Sequence, residues 1–572
     1  MSSRAPRVRE AAASAGVVLA ITLALNVGAQ RWAGLDTPDS SFYASLSLFG
    51  DQVTDRAPFP SYFWTRIGVI APMRLLTSTF GPWIGFAAYR ALLVLMLVGA
   101  TWFIMRRYTG RTSAAVITLA LGTTSVVLSY LGNTYLTGAV LAGTAALIAC
   151  ALMRPWWSAV PAGLLLAWLV MANPPGALLA GTLWLAIRLW FARTAPVPVL
   201  ASLGHLALTS AVTVAGFLGL LGVGRVIFPK MDWFGSYLAA QQITLSNFAS
   251  ATPVWLGDIS LLVPAVVLIV TIATWGMARG TPALTPASLA VVVSATSIAF
   301  MLVFNPLMGG IALEAPMYQA MLWPPAMIAL GCCATCWLPH ERWTPAQLGV
   351  AVAGIVLVVG CGFITPGFPV ITGVVIALVL LAVLMFALRR RPRRIVPVLA
   401  AWLTLLAGFQ LLQNSRDDLG LYYLSPYAWA YRGNPVSAKV HEAVNAQTWL
   451  LDHTSRSDRI LVWVDGPWTQ GDRELYVAAG MQLWGENRIT LEPTLSDAYG
   501  LERLQTVRPS VIAMYGKSQA AVDAFWASLP AANQPTRPEC YDFPWPADPS
   551  SDFPTTTGHA CLTRLSWSAA GA

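Results

Sequence analysis

Apolar residues along this chain gather into runs of about 20, the length of helix that crosses a bilayer. Short polar or basic stretches punctuate them, and the rhythm holds to about residue 413. Thirteen segments are predicted, at 11–30, 83–105, 112–131, 134–153, 157–172, 175–192, 198–224, 258–278, 285–305, 319–338, 346–364, 368–388 and 395–413. The fifth and sixth divide at Asn173-Pro174-Pro175. From 414 to 572 the pattern shortens and alternates between helix and strand periods. Helices are expected over 436–453, 497–507 and 519–529, and strands over 459–464, 487–491, 510–515 and 560–566, which together predict a small α/β sandwich. Gly466 and Gly471 near the first strand do not make a dinucleotide fingerprint, so nucleotide binding is not expected there.

Composition agrees with the pattern. Of 572 residues, 56% are hydrophobic and only 11% charged, with mean hydropathy +0.61, far from the roughly 25% charged of soluble domains. The fold class expected is a polytopic α-helical membrane protein of 13 spans, domain 1–413 with a first outer loop at 31–82, followed by a C-terminal extracytoplasmic α/β domain, 414–572.

A net charge of +9 could suggest nucleic acid, but the arginines sit at the ends of apolar segments rather than in one patch. Membrane topology accounts for them and no nucleic-acid partner is expected. Arg4, Arg7 and Arg9 precede the first segment as in a signal peptide. Because later segments continue the alternation, that segment is read as an uncleaved helix. Every second loop is then basic: Arg106, Arg107 and Arg111, then Arg154, Arg188 and Arg193, Arg279, Arg342, and the run from Arg389 to Arg394. This puts the N-terminus in the cytoplasm of a multi-pass plasma-membrane protein. An odd number of spans leaves the first loop and the tail outside, where Cys540 and Cys561, the only cysteines of the tail, could hold a disulfide. Cys332, Cys333 and Cys336 have no second ligand pair, and they read as small core residues.

Polar chemistry collects in the outer loops. The stretch 35–76 holds Asp36, Asp39, Asp51 and Asp55, the bases Arg56, Arg66 and Arg74, and the rings of Phe42, Tyr43, Tyr62, Phe63 and Trp64. A second loop, 225–257, sets Arg225, Lys230 and Asp232 beside Trp233, Phe234 and Tyr237, and a third, 305–323, carries Glu314 and Tyr318. None of the five histidines lies in these loops, so a general base there must be a carboxylate: Asp36, Asp39, Asp51, Asp55, Asp232, Asp258 or Glu314. The bland readings stand beside these. Asp39 or Ser40 could cap a helix starting at Ser41, Asp51 and Asp55 could simply pair with Arg56, and the rings could form an interfacial belt. Arg90, a third of the way into the second span, either faces the protein interior or snorkels to the interface.

One helix, a long outer loop with an acid near its start, a many-helix bundle and a trailing outer domain resemble the GT-C superfamily of integral-membrane glycosyltransferases. The string Pro38-Asp39-Ser40-Ser41-Phe42-Tyr43 is similar to its D-S-x-x-Y variant. The resemblance implies a glycosyltransferase, hexosyl or pentosyl, with a polyprenyl-phosphate sugar as donor. The expected acceptor is a cell-envelope glycan, glycolipid or protein. It makes Asp39 the catalytic base, with Asp36 its rival. A departure is that many members carry a basic residue before Tyr in a late outer loop, where Glu314-Ala315-Pro316-Met317-Tyr318 has none. Donor phosphate then falls to Arg56, Arg66, Arg225 and Lys230, with Tyr43, Glu314 and Tyr318 as further substrate contacts. Arginine suits the role through bidentate phosphate binding. No cofactor is expected, and a divalent metal is compatible but not indicated by any ligand cluster. Rival classes are a transporter or flippase of a lipid-linked substrate, which needs charges along a mid-membrane path, and a non-catalytic envelope scaffold.

Overall fold

The computed structural model describes residues 16, 43–44, 46–49, 65–124, 131, 136–153, 155–194, 199–229, 231, 233, 235–238, 240, 242, 262–307, 320–338, 343–362, 395–414, 449–450, 452–464, 488–492, 504–516, 518–529, 537–546 and 555–567. Over these residues the chain is a mostly helical membrane protein. Its helices are α1 (Ile67–Phe80), α2 (Pro82–Tyr108), α3 (Arg111–Gly122), α4 (Leu136–Ala151), α5 (Ala159–Ala172), α6 (Pro174–Thr194), α7 (Val199–Ile227), α8 (Leu262–Met277), α9 (Leu284–Leu307), α10 (Trp323–Trp337), α11 (Pro345–Gly362) and α12 (Ile395–Asn414). Four stretches, 84–108, 174–193, 201–227 and 284–307, are long and apolar enough to cross a membrane by length and composition. The expected spans 11–30 and 368–388 lie outside the described residues apart from Gly16.

Local chemistry fixes the breaks. Between α5 and α6, Asn173 is extended (φ −155°, ψ 98°), as expected of a residue that precedes proline. Its side-chain Oδ1 accepts the Gly176 N–H at 3.1 Å and so caps the helix that Pro174 opens. Between α1 and α2, Gly81 takes φ 84°, a conformation that favours glycine, and Pro82 starts the next helix.

Helix α1 departs from the expectation of a loop over 31–82. Its apolar run Ile67-Gly68-Val69-Ile70-Ala71 is buried although Pro72 and Arg74 interrupt the pattern. Gly68 is the contact that docks α1 on α5. A β-carbon there would stand 2.7 Å from the Trp168 carbonyl oxygen and 2.8 Å from the Ala172 amide nitrogen. The Trp168 indole N–H donates to the Gly68 carbonyl at 2.7 Å.

Helix α4 lies innermost. It is apolar on every side and built largely of Ala, Gly, Leu and Thr, and nearly all of it is buried against α2, α5, α6 and α10, the behaviour of a helix with no polar face. Around it α5 pairs with α7, α9 with α8 and α10, and α11 with α12.

Beyond α12 the strands β1 (Arg459–Val464), β2 (Arg488–Glu492), β3 (Val511–Gly516), β4 (Glu539–Pro546) and β5 (Thr555–Arg564) form one sheet in the order β2-β1-β3-β5-β4. The first three are parallel, and β5 runs antiparallel to both β3 and β4. Leu461, Trp463, Ile512, Met514 and Cys561 on one face pack on Val522 and Phe525 of helix α13 (Gln519–Ser528). The opposite residues of the same strands, Ile460, Val462, Val511, Ala513, Ala560 and Leu562, are buried too. Hence the strands read as continuous apolar runs. Strand β4 was not expected from the sequence. Pro544 and Pro546 hide it, and both are tolerated because β4 is an edge. Cys540 and Cys561 face each other across β4 and β5 and are joined by a disulfide with a Cα–Cα distance of 4.0 Å.

Candidate active site

The segment before α1 and the segment after α7 meet at the end of the bundle where α1, the C-terminal end of α5 and the C-terminal end of α7 come together. The segment 43–49 contributes Tyr43, Ala44, Leu46 and Phe49, all buried. Arg74 of α1 ties this segment to the second loop. Its Nη1 donates to the Ser47 carbonyl at 3.4 Å, and its guanidinium lies 5.4 Å from the centre of the Phe228 ring.

Trp233 reaches back into the same corner. A β-carbon at Gly224 of α7 would stand 2.5 Å from the Trp233 Cη2 and 3.3 Å from the Ile67 Cγ1, so only glycine lets the indole lie between α7 and α1. Four residues on, the Tyr237 hydroxyl donates to the Met171 sulfur of α5 at 3.1 Å. Burial pushes the Tyr237 phenol up to about 12, opposed in part by the charge of Arg66. Arg66 and Tyr237, 171 positions apart by subtraction of their numbers, are therefore close enough to interact electrostatically. At neutral pH the phenol keeps its proton beside the guanidinium.

Of the residues read from the sequence as site candidates, Tyr43, Arg66 and Arg225 lie within the described residues. Tyr43 is wholly buried in the hydrophobic core of the bundle. Arg66 is half-buried in the turn leading into α1. Arg225, in the last turn of α7 beside Gly224, is exposed. Asp36, Asp39, Arg56, Lys230, Glu314 and Tyr318 lie outside the described residues. The contacts of Arg74 with Ser47 and Phe228, of Trp168 with Gly68 and of Trp233 with Gly224 were not legible in the sequence, because each joins segments far apart in it.

Arg90 of α2 is buried, only 3% exposed. Of the two readings open from sequence, it faces the protein interior and does not snorkel. Cys332 and Cys333 are buried in α10, and the Cys336 thiol donates to the Cys332 carbonyl one turn back. Among the described residues no group of three or more His, Cys, Asp or Glu side chains could hold a metal ion.

No family model and no curated sequence matches the chain. It is similar to the crystal structure of ArnT from Cupriavidus metallidurans bound to undecaprenyl phosphate, with 16% identity over 98% of each chain and a TM-score of 0.48. The same protein in the apo state gives 16% identity, the same coverage and a TM-score of 0.44.

Proposed function

We propose that this chain is a GT-C type glycosyltransferase of the plasma membrane, moving a sugar from a polyprenyl-phosphate donor to a cell-envelope glycan, glycolipid or protein on the outer face. The observation that carries the reading is the meeting of the segments before α1 and after α7 at one end of the bundle, where a half-buried Arg66, a protonated Tyr237 and the Trp233 ring come together beside α1. In this reading the chain crosses the membrane thirteen times from a cytoplasmic N-terminus. Residues 414–572 then form an extracytoplasmic α/β domain, where a Cys540–Cys561 bridge would persist.

The chemistry follows from the residue types. Asp39, or Asp36 in its place, takes the proton of the acceptor hydroxyl as that oxygen bonds to the anomeric carbon of the sugar. The bond from that carbon to the donor phosphate oxygen breaks, and the phosphate leaves with the electron pair. Arg66, with Arg56, Arg225 and Lys230, offsets the charge growing on it. The Tyr237 hydroxyl, kept protonated by burial, would donate to a sugar or phosphate oxygen by turning its single O–H away from the Met171 sulfur. Glu314 and Tyr318 of the third loop complete the substrate contacts.

The test is transfer from radiolabelled polyprenyl-phosphate sugars to membrane acceptors by purified protein. Asp39→Asn is expected to lower the rate about 10²–10⁴-fold, the range for a positioned acid or base. Unchanged transfer in that variant overturns the base assignment. No transfer from any lipid donor overturns the enzyme reading in favour of a transporter or scaffold.

A further inference from the structure

At the opposite end of the bundle three helix ends converge around Phe191. Helix α2 finishes on Arg106, Arg107 and Tyr108. Arg188 of α6 donates through Nη1 to the carbonyl of Ala151, the last residue of α4, at 3.3 Å and to that of Met153, two residues on, at 2.9 Å. The guanidinium groups of Arg107 and Arg188 lie 5.8 Å and 6.0 Å from the centre of the same buried Phe191 ring. Arg106 in turn donates to the Thr109 carbonyl at 2.8 Å.

In the sequence around this corner the charges are all positive. No Asp or Glu occurs in 104–113, 151–160 or 186–200. Among the described residues no ion pair joins Arg106, Arg107 or Arg188 to a carboxylate. Stacking on Phe191 uses guanidinium faces and leaves N–H edges for an acceptor anion.

The surroundings are those of a lipid rather than of a dissolved ion. Trp156 and Trp157, in the turn just past Met153, are 72% and 52% exposed, and tryptophan favours the headgroup level of a bilayer. Leu185 and Leu189 flank Arg188 on α6 and are exposed, an apolar surface of the kind acyl chains cover.

We propose that Arg107 and Arg188, fixed on Phe191 and bordered by Trp156 and Trp157, form a binding site for the headgroup of an anionic phospholipid. The site lies apart from the proposed reaction site and does not depend on that reading. Basic pockets between helix ends bind such headgroups by charge complementarity. Arg188 also caps α4, so Arg107 is the residue to change.

The experiment is native mass spectrometry of the purified full-length protein titrated with phosphatidylglycerol, with phosphatidylcholine and inorganic phosphate in parallel. Phosphatidylglycerol should be retained in preference to phosphatidylcholine, and inorganic phosphate should neither bind measurably nor compete. Arg107→Gln should weaken phosphatidylglycerol binding roughly fivefold, the effect of about 1 kcal/mol per arginine near a membrane surface, with phosphatidylcholine unchanged. Arg107→Lys should recover part of the loss, and Trp156→Ala should weaken both lipids. A thermal melt of each variant in detergent separates lost binding from lost folding. Equal phosphatidylglycerol binding by a folded Arg107→Gln protein, or equal competition by inorganic phosphate, overturns the proposal.

Discussion

The two ends of the helical bundle are both rich in arginine and are built in opposite ways. Around Arg66 the chain folds polar and aromatic side chains inward: Tyr43 is buried, Trp233 lies against Gly224, and Tyr237 keeps its proton under cover. Around Arg107 and Arg188 the tryptophans are exposed and both guanidinium groups lie near the Phe191 ring. The sequence sharpens the contrast. No acid occurs among the described residues from 65 to 414. In the proposed topology Asp36, Asp39, Asp51, Asp55, Asp232, Asp258 and Glu314 would fall on the side of Arg66, and Glu10 and Glu341 on the other. In that topology a partly covered cation with many acids on its side suits chemistry, and cations at a rim with few acids suit binding.

If that division is right, equivalent changes at the two ends differ most in transfer activity. Arg66→Gln is expected to lower kcat/KM for the lipid-linked sugar about 10²-fold, the effect of removing one donor to a developing negative charge, with Arg66→Lys recovering part of it. Arg106→Gln at the other end should leave the constant unchanged. A steady-state assay across donor concentrations measures both. Similar losses at both ends would erase the distinction between a reaction site and a rim.

Packing gives a second, smaller contrast. Gly68→Ala drives a β-carbon against the backbone of Trp168 and Ala172, so α1 must move off α5. This should cost about 1–3 kcal/mol, as overpacking does, and should lower transfer as well because α1 follows directly on Arg66. Gly204, near the start of α7, has nothing within 4 Å of its β-carbon position. Gly204→Ala is therefore expected to be neutral or slightly stabilising through helix propensity alone. Thermal melts in detergent compare the two, and a tolerated Gly68→Ala would mean that the corner is looser than its contacts imply.

Much of this architecture was legible in the apolar rhythm. The spans predicted at 83–105, 134–153, 198–224 and 395–413 match α2, α4, α7 and α12 to within a few residues, because a helix in lipid must carry its own hydrophobic length. The break at Asn173 was legible because two prolines follow it. Helix α1 was not, since Pro72 and Arg74 inside it resemble loop punctuation, and the burial that makes it a helix comes from α5 and α2. Strand β4 was hidden by prolines that only an edge position permits. At the candidate site, residue types were readable and partners were not. Nothing near Gly224 in the sequence shows that Trp233 returns to it, or that Tyr237 comes within reach of Arg66. Those pairings are set by how α1, α5 and α7 cross.

The sheet provides the smallest effect, and one that should leave both ends of the bundle untouched. Asp458 precedes β1 and accepts the Ser455 N–H at 2.8 Å, the Ser510 hydroxyl at 3.0 Å and the Arg564 guanidinium at 3.4 Å. The Ser510 hydroxyl also accepts the Arg459 N–H at 3.0 Å, so the group joins the starts of β1 and β3 to the end of β5. Burial opposes the charge of Asp458, but these donors outweigh it and hold the carboxyl below its ordinary value. A carboxyl lower in the folded than in the unfolded state adds stability that is complete above the unfolded pKa, near 4. That stability fades as pH falls through the folded value. Asp458→Asn should cost about 1–2 kcal/mol at neutral pH, and the difference from wild type should shrink below about pH 4. Hydrogen exchange of the β1 and β3 amides at pH 7 and pH 3.5 measures it. Faster exchange in α4 or α5 at neutral pH would show that the sheet braces the bundle, and the two ends could then no longer be treated as independent of the tail.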